Sequence, residues 1–291
     1  MDEKLFFSAE EVLEWRKRQL SLGGEPADLD WLIDIGGGLG WDAIQRLKVF
    51  KTGIYLFNAS LEDLSCVWLN HLKDQIPLQY LLGKCPWNDF QLEVDSSVLI
   101  PRQETEMLLE LALRKASDLQ PGVWADLGTG SGALAIGLAR DLEDWSGHAV
   151  DISKPSLLIA KKNLARLAPK ANVQFHLGDW WEPLRPWWGT LDLVVSNPPY
   201  IPFSVLKELN PIIRDHEPHL ALDGGLDGMD PSRKLVKGAL KALSPKGLLM
   251  FEHHHDQSEK ALKLFRECGF EEVDFYNDIE GIRRFAIGRL P

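Results

Sequence analysis

From Val123 onward, short apolar segments alternate with stretches of helical length, and this alternation constrains the fold more than any other feature. We predict strands at 123–127, 148–151, 173–177, 191–196 and 247–252, with helices between them. Strands spaced in this way indicate an α/β fold with a mostly parallel sheet covered on both faces. Two more strands, at 273–276 and 285–288, are close enough in sequence to pair as an antiparallel edge. Ligands of such sheets bind at the carboxyl ends of the strands.

The preceding part of the chain has a different periodicity. Ser8 with Glu11, and Ser60 with Asp63, form capping-box patterns, each of which predicts the start of a helix. After Asn88-Asp89 the apolar period changes to two, which predicts a β-hairpin. We therefore expect a small all-helical N-terminal domain (1–80), a β-hairpin linker (81–105) and an α/β domain (106–291).

Charge and cysteine content narrow the function classes. The formal net charge is −11, whereas proteins that bind nucleic acid usually present a basic patch. The three cysteines are widely spaced and encode neither a disulfide framework nor a zinc ribbon. Three adjacent histidines, 253–255, cannot all face one ion, so we expect no metal site. No apolar run reaches the length of a membrane span and no signal-peptide pattern is found, so we expect a cytoplasmic protein without a membrane partner.

A glycine-rich loop follows the first strand of the α/β domain and is the strongest cofactor signal. Its candidate binding residues are Asp126, Gly128, Thr129, Gly130, Ser131 and Gly132. The pattern also fits a dinucleotide site, but the acid before the first glycine would oppose a pyrophosphate and could pair with a methionine ammonium. Asp151, at the end of the next strand, suits a ribose diol. A second glycine run, 36–40, follows a segment of helical period and is interpreted as a flexible helix–helix connection.

The sequence Asn197-Pro198-Pro199-Tyr200 begins where a buried strand ends, on the same rim as the glycine loop. An amide or exocyclic amine is a poor nucleophile because its lone pair is delocalised. The Asn197 side-chain oxygen and the Pro198 carbonyl can accept both N–H groups of such a nitrogen, while Tyr200 stacks on the planar group. The prolines stiffen the loop and lower the entropy of positioning. This motif predicts methyl transfer to a planar nitrogen.

With both motifs present, the chain resembles the HemK family, the release-factor glutamine methyltransferases. Beyond the two motifs, the resemblance is carried by three segments: Pro-Leu-Gln-Tyr-Leu-Leu-Gly at 77–83, Leu-Ile-Pro-Arg-Gln-Glu-Thr-Glu at 99–106, and Ala-Leu-Asp-Gly-Gly-Leu-Asp-Gly at 221–228. It implies a Rossmann-like class I methyltransferase domain with a seven-stranded, mostly parallel sheet. It also implies that the N-terminal domain docks the substrate protein.

The resemblance further implies the chemistry and the residues that perform it. S-adenosylmethionine would be the donor, leaving S-adenosylhomocysteine, and the acceptor would be the glutamine of the Gly-Gly-Gln motif in peptide chain release factors. The loop from 128 to 132 would hold the methionine part, Asp151 the ribose, and Asp179 with Trp180 the adenine; Trp181, Trp187 and Trp188 leave open which indole meets it. Asn197, Pro198 and Tyr200 would be catalytic and, with Pro199, form the glutamine pocket; Asn197 would also bind the cofactor. We expect a monomer.

Three alternatives stay open at this point. An adenine amino-methyltransferase acting on DNA or RNA would use the same tetrapeptide, although the net charge and the lack of a recognition domain count against it. A nicotinamide-dependent oxidoreductase would use the glycine loop but not Asn197–Tyr200. A non-catalytic sensor of S-adenosylmethionine would not need the intact tetrapeptide.

Overall fold

The computed structural model describes residues 4–291. In the N-terminal part, two capping boxes begin the two longest helices. The Ser8 hydroxyl accepts a hydrogen bond from the N–H of Glu11 at 3.2 Å, and the Glu11 carboxylate accepts from the N–H of Ser8 at 2.7 Å. Ser60 and Asp63 form the same reciprocal pair. The two predicted helix starts are confirmed. The helices are α1 (Ala9–Ser21), α2 (Pro26–Trp31), α3 (Trp41–Phe50), α4 (Leu61–Asp74) and α5 (Leu78–Leu82).

A two-stranded antiparallel sheet accompanies these helices and was not predicted. Strands β1 (Leu5–Ser8) and β2 (Ile54–Phe57) pair with Phe7 opposite Tyr55. The Phe57 ring is fully buried and meets Phe7 edge-on at 5.5 Å between ring centroids. This part of the chain was expected to be purely helical, because the residues that pair lie about 50 positions apart and no hairpin pattern marks them.

The glycine run 36–40 joins two helices, as predicted, but it is closely packed rather than open. A π-helical turn, Leu32–Gly36, continues α2, and Gly40 precedes α3. A Cβ atom on Gly37 would lie 2.5 Å from the Ile33 carbonyl oxygen and 2.9 Å from the Phe57 ring. Packing therefore requires glycine at Gly37, and the segment directly before the run is helical.

The predicted hairpin consists of β3 (Lys84–Trp87) and β4 (Phe90–Glu93). Asn88 occupies the turn at φ 52°, a left-handed conformation that asparagine tolerates well. The fully buried Asn163 side chain exchanges two 2.8 Å hydrogen bonds with the backbone of Glu93, which fixes the hairpin to helix α8 (Lys154–Leu167).

Seven strands form one sheet in the order β10-β11-β9-β8-β5-β6-β7. They are β5 (Val123–Leu127), β6 (Ser146–Asp151), β7 (Val173–Leu177), β8 (Leu191–Ser196), β9 (Leu243–Glu252), β10 (Glu271–Asn277) and β11 (Arg283–Arg289). The pairs among β5 to β9 are parallel, and β11 runs antiparallel to both of its neighbours. The α/β prediction, the mostly parallel sheet and the antiparallel edge pair are confirmed.

The remaining helices are α6 (Glu104–Ala116), α7 (Ala133–Asp141), α9 (Pro211–His216), α10 (Asp230–Ala242) and α11 (Ser258–Glu267). By its contacts the chain divides into two compact units. One contains the N-terminal elements up to Lys84 together with Pro211–His216, and the other contains Cys85–Asn210 and Glu217–Pro291. No helix within residues 4–291 is long and apolar enough to cross a membrane.

Strand register decides which residues meet at one edge of the large sheet. Asp126 pairs with Val195, and Ser196 pairs with Phe251, so β5, β8 and β9 end at nearly the same level. The residues that follow these strands, and Asp151 at the end of β6, therefore share the carboxyl edge of the sheet. The predicted cofactor loop and the predicted catalytic tetrapeptide lie on the same rim.

Candidate active site

A cavity of about 450 Å³ opens at this edge of the sheet, within the second unit. Most of the residues predicted from the sequence line it: Asp126, Gly128, Thr129, Gly130, Ser131, Asp151, Asp179, Trp180, Asn197 and Pro199. Gly132, Pro198 and Tyr200 do not line this cavity. Gly132 begins α7, Pro198 is buried, and Tyr200 contacts a carboxylate beside the cavity.

Backbone hydrogen bonds hold the glycine loop against the neighbouring strand. The N–H groups of Gly128 and Thr129 both donate to the Val150 carbonyl at 2.9 Å, and the N–H of Gly130 donates to Asp151 Oδ2 at 2.9 Å. Gly130 has φ 55° and open space where a Cβ would stand. Residues with a side chain rarely adopt this backbone conformation, whereas glycine adopts it without strain. Because glycine has no Cβ, this wall of the cavity stays open.

Asp126 is a buried carboxylate with one unpaired oxygen. Its Oδ2 accepts from the Thr129 hydroxyl at 2.6 Å and from the N–H of Ala135 at 3.2 Å. Its Oδ1 is buried and has no hydrogen-bond partner among the described residues. Burial raises the pKa of this carboxyl from 3.8 to about 7. A cationic group bound in the cavity would supply the missing partner and favour the ionised form.

Asp151 occupies the end of β6 and faces the cavity with a carboxylate held in place. Its Oδ1 accepts from the N–H of Ser153 at 2.8 Å, and its Oδ2 accepts from Gly130. Burial raises the pKa of this carboxyl above its usual value, while these backbone hydrogen bonds oppose the shift. An acceptor fixed at this point suits a ligand with hydroxyl groups, such as the ribose expected from the sequence.

The segment 180–188 contains four tryptophans, and the structure separates them. Trp180 lines the cavity, and its ring lies beside Gly128. A Cβ atom on Gly128 would be 3.6 Å from this ring. Trp181 is buried, and its indole N–H donates to the Lys234 carbonyl at 3.1 Å. Trp187 packs against His148 at 4.4 Å between ring centroids, and Trp188 does not line the cavity. Of the four, Trp180 alone is placed to contact a ligand.

Asn197 is tied to two residues that are distant in sequence. Its Nδ2 donates to Thr105 Oγ1 at 2.9 Å, and Thr105 Oγ1 donates to Glu252 Oε2 at 2.7 Å. Tyr200 donates a longer hydrogen bond, 3.5 Å, to Glu252 Oε1. Glu252 is 1% exposed, and burial raises the pKa of its carboxyl to about 7. Burial also raises the pKa of the Tyr200 phenol, with Glu252 contributing, so this hydroxyl remains protonated.

Several residues of the site were not among the binding residues predicted from the sequence. Thr105 lines the cavity from the first turn of α6; for Arg102 and the segment 104–106 the sequence left open either a substrate contact or a plain helix start. Arg102 also lines the cavity and donates to Glu217 Oε1 at 2.7 Å; the Glu217 side chain is 1% exposed. Lys234 lies opposite Asp179 at 3.3 Å. Arg102 and Glu217 are 115 residues apart, and no local pattern marks such a pair.

Comparisons with known proteins agree with this geometry. The family model for the methyltransferase small domain matches residues 103–274. A release factor glutamine methyltransferase of Prochlorococcus marinus is 60% identical over 288 residues, covering 98% of each chain. A release factor glutamine methyltransferase of Synechocystis sp. is 36% identical over 299 residues, again covering 98% of each.

A solved structure supports the fold alone. The hMettl16 catalytic domain, in complex with the MAT2A 3'UTR hairpin 6, matches with a TM-score of 0.55 and 13% identity, covering 78% of this chain and 81% of that one. The sheet order and the cavity at its carboxyl edge thus define a class I methyltransferase. Within that class, the extent of the sequence match is decisive. The chain belongs to the release factor glutamine methyltransferase family.

Proposed function

We propose that this enzyme transfers a methyl group from S-adenosylmethionine to the side-chain amide nitrogen of the glutamine in the Gly-Gly-Gln motif of peptide chain release factors. The observation that carries the proposal is the placement of Asn197, next to the glycine loop and with its amide held by Thr105, at one cavity. Identity of 60% over nearly the whole length to a release factor glutamine methyltransferase supports the substrate.

The residues around the cavity fit the proposed cofactor. When bound, S-adenosylmethionine supplies an electrophilic methyl group on a cationic sulfonium. Asp126 offers a buried oxygen without a partner among residues 4–291, which suits the ammonium of the methionine part. Asp151 offers a fixed acceptor for the ribose, and Trp180 an aromatic face for the adenine. Asp179 is placed beside Trp180, where its carboxylate also pairs with Lys234.

Asn197 provides what an amide nucleophile lacks. A glutamine side chain attacks poorly because its nitrogen lone pair is delocalised into the carbonyl. The Asn197 side chain donates through Nδ2 to Thr105, which leaves Oδ1 to accept an N–H of the acceptor amide. Together with the Pro198 carbonyl, this acceptor would fix the nitrogen and stabilise the positive charge that develops on it. Pro199 lines the cavity and narrows the pocket in which the amide is held.

Intact-mass measurement of a release factor after incubation with enzyme and S-adenosylmethionine tests the proposal. We expect one added methyl on the wild-type release factor and none on a variant in which the motif glutamine is replaced by alanine. Asn197→Ala in the enzyme should lower turnover by about a thousandfold, the upper range for losing one hydrogen-bonding group that acts on a transition state, while calorimetric binding of the donor persists. Equal labelling of both release factors would refute the substrate.

The same assay separates the competing functions. Single- and double-stranded DNA and RNA are offered in place of the release factor, and methylation of adenine in any of them would favour the alternative. We further propose that the enzyme acts in the cytoplasm, as a monomer, without a nucleic-acid or membrane partner. Gel filtration combined with light scattering tests the monomer, since a dimer would double the mass. The docking of release factor by residues 1–80 is likewise part of the proposal.

A further inference from the structure

Side-chain hydrogen bonds connect Asn197 of the catalytic tetrapeptide to Thr105, and Thr105 in turn to Glu252, within the second unit. Asn197 follows β8, Thr105 lies in the first turn of α6, and Glu252 is the last residue of β9. The donor–acceptor distances are 2.9 Å from Asn197 Nδ2 to Thr105 and 2.7 Å from Thr105 to Glu252. Thr105 is 5% exposed and Glu252 is 1% exposed, so water does not compete readily for these groups.

When Glu252 is ionised its carboxylate can only accept, and this fixes the direction of each hydrogen bond. The Nδ2 of Asn197 can only donate, so Thr105 Oγ1 must accept from it. Thr105 has a single hydroxyl proton, which it then gives to Glu252 Oε2. If the Asn197 amide were flipped, Oδ1 would face Thr105 and demand the same proton. Glu252 Oε2 would then lose its donor in a buried environment, which is unfavourable.

Glu252 also contacts the other end of the tetrapeptide. Its Oε1 accepts from the Tyr200 hydroxyl at 3.5 Å. One buried carboxylate therefore connects, directly or through Thr105, to both Asn197 and Tyr200. These hydrogen bonds hold the loop between Asn197 and Tyr200 against the neighbouring strand β9.

We infer that Thr105 and Glu252 are positioning residues that select one orientation of the Asn197 amide, so that Oδ1 rather than Nδ2 meets the N–H of the acceptor glutamine. The inference rests on the proposed function for the identity of the acceptor. In the other orientation, the Nδ2 group of Asn197 would face the N–H of the acceptor glutamine, and two donors would oppose each other. Thr105 and Glu252 thereby act on the reaction through Asn197 without touching the substrate.

The inference is tested with Thr105→Val, which keeps the shape of the side chain but removes the hydroxyl. We expect kcat for release-factor methylation to fall by about tenfold to one-hundredfold, the range produced by slight misplacement of a reacting group, with the calorimetric Kd for S-adenosylmethionine changed less than about threefold. Thr105→Ser should recover most of the lost kcat, because the hydroxyl returns. Glu252→Gln should also lower kcat, because an amide offers one accepting oxygen in place of two.

Thr190→Val is the matched control. It removes a threonine hydroxyl that donates to the Trp187 carbonyl at 2.7 Å at an exposed position outside the cavity, and kcat should be unchanged. If Thr105→Val retains wild-type kcat, or if Thr105→Ser is as slow as Thr105→Val, the positioning role is wrong. If Thr105→Val does not fold, the kcat of Glu252→Gln is compared with that of the wild type instead. An unchanged kcat would again show that the positioning role is wrong.

A second readout does not depend on the acceptor. The side-chain amide of Asn197 is assigned in a nitrogen-15 correlation spectrum by its loss in Asn197→Ala. Its protons should exchange with solvent at least about tenfold faster in Thr105→Val than in Thr105→Ser, and equal exchange would overturn the inference. If the wild-type enzyme failed to methylate the release factor, the proposed function would fall, while this measurement would still decide whether Thr105 fixes the amide.

Discussion

At the scale of single residues, the site depends on carboxyl groups that the protein removes from water. Burial raises the pKa of both Asp126 and Glu252 to about 7. Glu252 receives hydrogen bonds at both oxygens, whereas Asp126 Oδ1 has none within the described chain. A buried acceptor left without a donor destabilises the free protein, and a bound cation would remove that cost. We therefore assign Asp126 to ligand binding and Glu252 to support of the loop.

The effect of Asp126 on stability should depend on pH in the absence of cofactor. Its pKa is raised in the folded protein, so between pH 4 and about 7 the folded state holds a proton that the unfolded state has released. The free energy of unfolding should then decrease as pH rises through this window. Asp126→Asn does not ionise and should show a shallower decrease. Urea unfolding of both proteins at pH 5 and pH 8 measures the difference.

The same substitution should weaken cofactor binding, because the asparagine is neutral. We expect the Kd for S-adenosylmethionine at pH 8 to rise by about tenfold or more, a loss on the scale of one charge-assisted hydrogen bond. Asp118→Asn, at an exposed position, changes the net charge equally. It should leave both the Kd for S-adenosylmethionine and the pH dependence of unfolding unaltered. An Asp126→Asn protein with wild-type affinity and wild-type pH dependence would contradict the assignment.

At the scale of helices and strands, the sequence was sufficient to predict those elements that are determined by residues close together in the chain. Capping boxes marked the starts of α1 and α4, apolar segments marked strands β5 to β9, and closeness in sequence indicated the edge pair of β10 and β11. The pairing of Thr105 with Glu252, 147 residues away, was not predictable, because it arises only when α6 and β9 pack together. The short strands β1 and β2 were missed because their pairing involves residues about 50 positions apart.

The capping box of α4 makes a quantitative test at this scale. Ser60→Ala removes the oxygen that accepts from the N–H of Asp63 at 3.0 Å, leaving a helix N–H without its partner. Loss of such a cap costs about 1 kcal/mol. The midpoint of urea unfolding, measured by circular dichroism, should therefore shift to a lower urea concentration. Ser21→Ala, which removes a hydroxyl bonded to the Arg18 carbonyl at an exposed position, is the control. Equal midpoints for the two variants would show that the cap does not stabilise α4.

At the scale of the whole molecule, the dominant property is the net charge of −11. Such a field attracts a partner that presents a basic surface and repels nucleic-acid backbones. Long-range attraction mainly accelerates encounter and is screened by salt. The charge of the molecule thus bears on substrate choice, although the residues at the cavity decide the chemistry.

Ionic strength should therefore act on capture of the protein substrate more than on the chemical step. Between about 0.05 and 0.5 M salt, where the Debye length falls severalfold, we expect kcat/KM for the release factor to decrease severalfold while kcat at saturating substrate stays nearly constant. The Kd for S-adenosylmethionine, measured by calorimetry at both salt concentrations, is the control and should change little, because the cofactor is small and its proposed site lies inside the cavity. A kcat/KM that rose with salt would mean that the negative surface hinders the release factor. Docking would then have to depend on apolar contacts that overcome the repulsion.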